Sequence, residues 1–124
     1  MVCLANFRLA LLTAVFAAAV SSTACNSELR KSDAELGLNP QQAAGRHLYD
    51  QHCDRCHEAY SSRAKKGDSL QGMFKKQYLP KSGLPANDDR VGEIIRSGRG
   101  MMPAFGQVLD DQQVNDLLAY LHTL

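Results

Sequence analysis

The hydrophobic residues in the C-terminal part of this chain recur at helical spacing. Four positions follow the i, i+3, i+4, i+7 pattern of one helix face: Val114, Leu117, Leu118 and Leu121. Asp110 precedes them, and Gln113 follows Asp110 by three residues, which is the arrangement of a capping box. The pattern therefore predicts an amphipathic helix that begins next to Asp110.

Two earlier segments also show helical patterns. In the first, Asn39 is a suitable N-cap and Pro40 suits the first helical position. The face that follows carries Ala44, Leu48 and Tyr49. The second segment has an acidic start at residues 88–89, ends at Gly98, and carries Val91, Ile94 and Ile95. No segment alternates convincingly between apolar and polar residues, so the sequence predicts an all-α fold of three or more short helices joined by Gly-rich loops.

The N-terminal stretch differs from these amphipathic patterns. Residues 9–20 form a predominantly apolar stretch of twelve residues, and Arg8 is the only charged residue in the first 24. A bilayer core requires about 20 apolar residues, so the stretch is too short to span it. The profile matches a cleaved signal peptide over residues 1–24. It predicts export to an extracytoplasmic compartment, which in a bacterium is the periplasm.

The point of cleavage has two interpretations. Residues 22–24 before Cys25 resemble a lipoprotein cleavage box, which would make Cys25 the lipidated first residue and anchor the protein to the membrane. The same residues also fit an ordinary small-x-small cleavage site. We favour the lipoprotein interpretation. Residues 25–39 are then a polar linker, and residues 40–124 form the folded domain.

Charge and composition exclude several function classes. Without Arg8, the 14 Lys and Arg residues become 13, against 13 Asp and Glu, so the exported chain has a formal charge of zero. This balance gives no general electrostatic basis for binding nucleic acid. The sequence shows no nucleophile–base constellation and no phosphate-binding loop, so no enzyme activity is predicted.

The most informative motif is C-D-R-C-H at residues 53–57, which has the spacing of a covalent attachment site for c-type haem. Cys53 and Cys56 could add to the two vinyl groups of a porphyrin, and His57 could bind the iron. A thioredoxin-type motif would need a βαβ context. Structural zinc would need a second ligand pair, but the other cysteines lie at the far N-terminus. The motif therefore favours haem c.

Together with two flanking motifs, residues 41–124 resemble a class I c-type cytochrome with one haem. The first motif is G-x-x-x-Y, here Gly45 and Tyr49. The resemblance implies a small cytochrome c-like fold wrapped around one haem c that is covalently bound through Cys53 and Cys56. It also implies that Gly45 and Tyr49 pack against the last helix, at Leu117 and Tyr120.

The second motif is G-R-G-M-M-P-A-F at residues 98–105, which resembles the axial-methionine loop of the family. The resemblance implies that the iron ligands are His57 and Met102, the methionine directly before the proline, with Met101 serving in packing. A thioether is a soft ligand suited to redox-active iron, and His/Met ligation raises the reduction potential. Met73 lies in an apolar patch and is expected to be a core residue.

A third segment, residues 67–74, suggests a partner for the histidine ligand. Asp68 stands where many relatives have proline, and its backbone carbonyl could accept a hydrogen bond from the His57 ring. The other histidines are expected to be surface or helix residues rather than iron ligands: His47, His52 and His122.

A six-coordinate His/Met haem has no open position for a substrate, so the expected function is one-electron transfer between redox proteins, such as a terminal oxidase, a reductase or a dehydrogenase. A cluster of basic residues is a candidate docking surface for an acidic partner: Arg63, Lys65, Lys66, Lys75, Lys76 and Lys81. Three alternatives stay open: a subunit of a larger dehydrogenase or oxidase, a haem-based sensor or catalyst for a gas or peroxide, and a thiol–disulfide oxidoreductase.

Overall fold

The computed structural model describes residues 30–124, so the predicted signal peptide and Cys25 lie outside the described residues. Three α-helices are present in this part: α1 (Pro40–His52), α2 (Asp88–Ser97) and α3 (Asp111–Leu121). A single 3₁₀ turn spans Met73–Lys75. Residues 30–124 contain two isolated β-bridges but no strand, which confirms the all-α prediction. No helix among them is long and apolar enough to cross a membrane.

The helix ends are set by side-chain caps close to those predicted. Asn39 and Gln42 form a reciprocal capping box at the start of α1, and Asp110 and Gln113 form the same arrangement at the start of α3. The N-cap of α2 is Asn87, one residue before the acidic start that the pattern indicated. Gly98 ends α2 with a φ of 72°, a backbone conformation that glycine adopts without strain.

The core lies where α3 packs against α1 and α2. Its most deeply buried side chains are Tyr49, Val114, Leu117 and Tyr120. Leu48 is also buried, whereas Ala44, which was expected on the same face, is exposed. The reason is that α1 turns Gly45 rather than Ala44 toward α3.

Gly45 is the point of closest approach between α1 and α3. A Cβ atom at this position would overlap the backbone carbonyl of Asp116 and lie 2.9 Å from the Cβ of Tyr120. Glycine therefore lets the two backbones come together. Tyr49 follows one turn later, and its ring centroid lies 5.5 Å from that of Tyr120. The predicted packing of Gly45 and Tyr49 against Tyr120 is confirmed.

The last part of the predicted linker is attached to α1. Arg46 is buried, and its guanidinium pairs with the carboxylate of Asp33 and donates to the backbone carbonyl of Lys31 at 2.6 Å. Leu38 packs against the core. The sequence pattern did not indicate these contacts, because a charged residue on an amphipathic helix normally faces solvent.

Candidate functional site

The two candidate haem cysteines lie in a tight turn directly after α1. Cys53 is the C-cap of the helix, and its carbonyl accepts hydrogen bonds from the N–H groups of Cys56 at 3.0 Å and His57 at 2.9 Å. Neither cysteine is in a disulfide, so both sulfur atoms are available to a cofactor. The turn therefore brings the two thiols and the imidazole into one short segment whose backbone is held by its own hydrogen bonds.

Burial changes the chemistry of one of these thiols. Desolvation, with smaller contributions from Cys56, Asp50 and Asp54, raises the pKa of Cys53 to about 12. The same apolar surroundings suit a thioether at this position, because a thioether sulfur carries no charge.

The ring of His57 is oriented by the segment that follows the motif. Its Nδ1 lies 2.8 Å from the backbone carbonyl oxygen of Asp68. A carbonyl can only accept, so Nδ1 carries the proton, and Nε2 is left with a lone pair that can bind a metal. The hydrogen bond expected from Asp68 is thus present, although Asp68 replaces a proline of many relatives.

Gly67 is the reason that this segment can approach the ring so closely. A Cβ at Gly67 would lie 2.8 Å from Nδ1 and 2.9 Å from Nε2 of His57. In addition, the Gly67 N–H donates to the carbonyl of Cys56 at 2.7 Å. The backbone of the loop therefore covers one side of the imidazole, and any side chain at Gly67 would displace it.

The candidate methionine ligand lies in a tight loop after α2. Arg99 and Met102 exchange two backbone hydrogen bonds of 3.0 Å, and the turn between them contains Gly100 with a φ of 59°. This turn separates the two adjacent methionines. The Met101 side chain is 92% exposed, whereas Met102 is partly buried and packs against the core. The expected packing role of Met101 is therefore wrong, because the turn directs its side chain into solvent.

The other candidate side chains have partners of their own. His47 contacts Gln51, His52 lies edge-on to Phe105, and His122 contacts Asp88 at 2.6 Å and stacks on Phe74. Met73 is buried in the core, as expected. Among residues 30–124, no group of three His, Cys, Asp or Glu side chains is arranged to hold a metal ion.

The predicted basic cluster is partly neutralised by local contacts. The Lys65 ammonium lies 2.9 Å from a carboxylate oxygen of Asp54, Lys81 pairs with Asp68 at 2.9 Å, and Lys75 donates to the carbonyl of Leu124. All six members are exposed, and three of them lie outside these contacts: Arg63, Lys66 and Lys76. Half of the cluster therefore supports the local fold.

The residues of the site fit a covalent haem. The site combines two neighbouring thiols with an imidazole whose Nδ1 is already bonded, and a thioether occurs elsewhere on the same partly buried fringe of the core. Half-buried apolar side chains make up much of this fringe: Leu70, Phe74, Leu79, Met102 and Phe105. Such a surface suits an apolar macrocycle, because the haem would remove these side chains from water.

Comparison with known proteins agrees with this geometry. Residues 40–121 match the sequence model of the family described as cytochrome C oxidase, cbb3-type, subunit III. The chain is also similar to cytochrome c6 from Picosynechococcus sp., with 30% identity over 81 residues that cover 64% of this chain and 69% of the relative. The family match includes the Cys53–His57 turn and all three helices. The chain therefore belongs to the class I c-type cytochromes, and its cofactor is a covalently bound haem c.

Proposed function

We propose that this protein is a one-electron carrier in which Cys53 and Cys56 hold the haem through thioethers and His57 and Met102 ligate its iron. The haem supplies an iron centre that cycles between Fe³⁺ and Fe²⁺. The protein's part would be to attach the cofactor through Cys53 and Cys56, to bind its iron through His57 and Met102, and to exclude water from the site. The observation that carries the proposal is the His57 ring, with Nδ1 bonded to Asp68 and Nε2 left for the metal.

The assignment of Met102 is supported by the difference between the two methionines. A ligand must turn inward, toward the fringe of the core where the haem would lie. Met102 packs against this core, whereas Met101 is 92% exposed. His/Met ligation leaves no open coordination position, which supports a role in electron transfer rather than in substrate chemistry.

The proposed location is extracytoplasmic, with Cys25 as a lipid anchor. The contacts of Arg46 limit the distance between this anchor and the haem domain, because they attach Lys31 to α1. Lys31 follows Cys25 by six residues, a stretch that spans at most about 22 Å when fully extended. A lipidated protein would therefore keep its haem domain near the membrane surface, where membrane-bound redox enzymes are also found.

The proposed partners are other redox proteins, such as a terminal oxidase, a reductase or a dehydrogenase. The exposed side chains of Arg63, Lys66 and Lys76 form the part of the basic cluster that is available to an acidic partner. Steering of this kind is screened by salt, so transfer rates should fall as ionic strength rises. Rates that stay flat would contradict it.

A second candidate function is a haem subunit of a larger oxidase. It is favoured by one observation, the match of residues 40–121 to a family described as an oxidase subunit. Purification under mild conditions distinguishes the oxidase subunit from the mobile carrier. Recovery with a large membrane partner at fixed stoichiometry favours the subunit, whereas recovery of the protein alone favours the mobile carrier.

Optical spectra of the exported protein, oxidised and reduced, test the ligand set. In a Met102→Ala variant, we expect the Met–iron charge-transfer band to vanish and the reduction potential to fall, because the soft thioether is lost. The matched Met101→Ala variant should keep both properties. A band that survives in Met102→Ala but is lost in Met101→Ala would contradict the assignment. If the native haem is five-coordinate and binds carbon monoxide readily, the protein would be a sensor or catalyst rather than an electron carrier.

A further inference from the structure

The hydroxyl of Tyr49 contacts the segment that carries the candidate iron ligand. It donates a hydrogen bond of 2.7 Å to the backbone carbonyl oxygen of His57. The Tyr49 side chain is 1% exposed, so water does not compete for this bond. The packing of Tyr49 against Tyr120 needs only an aromatic ring, and phenylalanine would supply it. The hydroxyl therefore has a separate role.

Three hydrogen bonds act on His57 from three directions. Its amide N–H donates to the carbonyl of Cys53 at 2.9 Å, its ring Nδ1 donates to Asp68 at 2.8 Å, and its carbonyl accepts from Tyr49. Among residues 30–124, no backbone N–H donates to this carbonyl, so Tyr49 satisfies it. The position of the ring depends on the backbone from which it extends. Tyr49 holds this backbone, and Asp68 holds the ring.

We propose that Tyr49 is a positioning residue for the axial histidine, and that its hydroxyl raises the reduction potential of the iron. This inference rests on the proposed ligation by His57. The hydroxyl hydrogen places the positive end of a dipole at the His57 carbonyl. Without it, the partly buried His57 carbonyl would keep its negative end uncompensated beside the ligand. A more negative environment favours Fe³⁺ over Fe²⁺, so loss of the hydroxyl should lower the potential.

The test is a redox titration of the haem-loaded Tyr49→Phe variant. At a fixed ambient potential, its ratio of oxidised to reduced haem should rise about 2- to 12-fold over the wild type, the range that a single hydrogen bond supports. An unchanged or lower ratio would overturn the proposal. The wild-type spectrum tests the proposed function separately. If it shows His/Met ligation while Tyr49→Phe leaves the ratio unchanged, only the role of Tyr49 fails.

Tyr60→Phe is a matched control within the same tyrosine cluster. The Tyr60 hydroxyl lies 2.6 Å from that of Tyr120, whose ring packs on Tyr49, so this variant also loses a tyrosine hydroxyl contact. It leaves the bond from Tyr49 to His57 in place. We expect a lower urea midpoint but a redox ratio within about twofold of the wild type. If the ratio of oxidised to reduced haem changed equally in both variants, the change would reflect a general loss of packing in the tyrosine cluster, and the proposal would be overturned.

If Tyr49→Phe does not fold, a measurement on the wild-type protein can test whether the hydrogen bond from Tyr49 to His57 is present. In the reduced protein, proton NMR should show a Tyr49 hydroxyl proton that exchanges slowly with solvent and lies close to the His57 backbone. Tyr78 is 52% exposed, and its hydroxyl provides the internal reference for faster exchange. A Tyr49 hydroxyl that exchanges as fast as that of Tyr78 would show that the bond to His57 is absent, and the proposal would be wrong.

Discussion

At the scale of single residues, the site depends on a backbone carbonyl and a missing side chain. The Asp68 carbonyl orients the His57 ring at 2.8 Å, and Gly67 leaves the space in which the ring lies. Both contributions come from the main chain. The chemical type of residue 68 therefore matters little to this bond, which explains why an aspartate can replace a proline there. The size of residue 67, in contrast, matters greatly.

Gly67→Ala should displace the His57 ring. The added methyl group would lie within 3 Å of ring atoms in a packed site, and overpacking of this kind costs about 1–3 kcal/mol. We expect a lower urea midpoint together with a changed reduction potential in the haem-loaded protein. Asp68→Ala is the control, since it removes only the exposed ion pair with Lys81 and keeps the backbone carbonyl. A Gly67→Ala protein with wild-type stability and potential would contradict this account.

At the scale of elements, the contact between α1 and α3 connects the core with the haem turn. α1 ends at His52, directly before Cys53, so the position of α1 on α3 determines where the two cysteines and His57 lie. Gly45 allows the close approach, and the Tyr49 ring fills the space one turn further along. A shift of α1 would therefore be transmitted to the ligand turn.

Two glycines inside helices provide a matched pair of variants. Gly45→Ala would place a methyl group on the rigid backbone of Asp116, so we expect destabilisation of about 1–3 kcal/mol or more. Gly92→Ala would place its methyl group 2.9 Å from the end of the flexible Arg96 side chain and at ordinary contact distance from Leu118 and Val114. It should therefore be neutral or stabilise by up to about 1 kcal/mol through helix propensity. Urea unfolding of both haem-loaded variants measures the difference. Equal free energies of unfolding would refute the close-approach argument.

At the scale of the whole molecule, position relative to the membrane limits which partners the haem can reach. In the Cys25→Ser variant, we expect the protein to move from the membrane fraction to the soluble extracytoplasmic fraction, because the thiol that carries the lipid is absent. Its haem spectrum should be unchanged, since Cys25 lies outside the haem domain. A wild-type protein that is already soluble, with the mass of an unmodified N-terminus, would instead support cleavage at an ordinary signal-peptide site.

The helices and the chemical type of the site could be predicted from the amino-acid sequence, because both depend on local spacing. The helix caps at Asn39 and Asp110 each involve residues that are close together in the sequence, and the same is true of the C-x-x-C-H motif. The C-x-x-C-H motif predicted the haem c that family membership confirms, whereas ligation by His57 and Met102 stays a prediction.

Contacts between groups that are far apart in the sequence could be identified only in the folded chain. Arg46 pairs with Asp33, the Tyr49 hydroxyl donates to the His57 carbonyl, and half of the basic cluster is paired locally. Sequence periodicity shows which face of a helix is apolar. It does not show which polar atom on that face finds a partner, because that partner belongs to a distant segment and is brought close only when the chain packs.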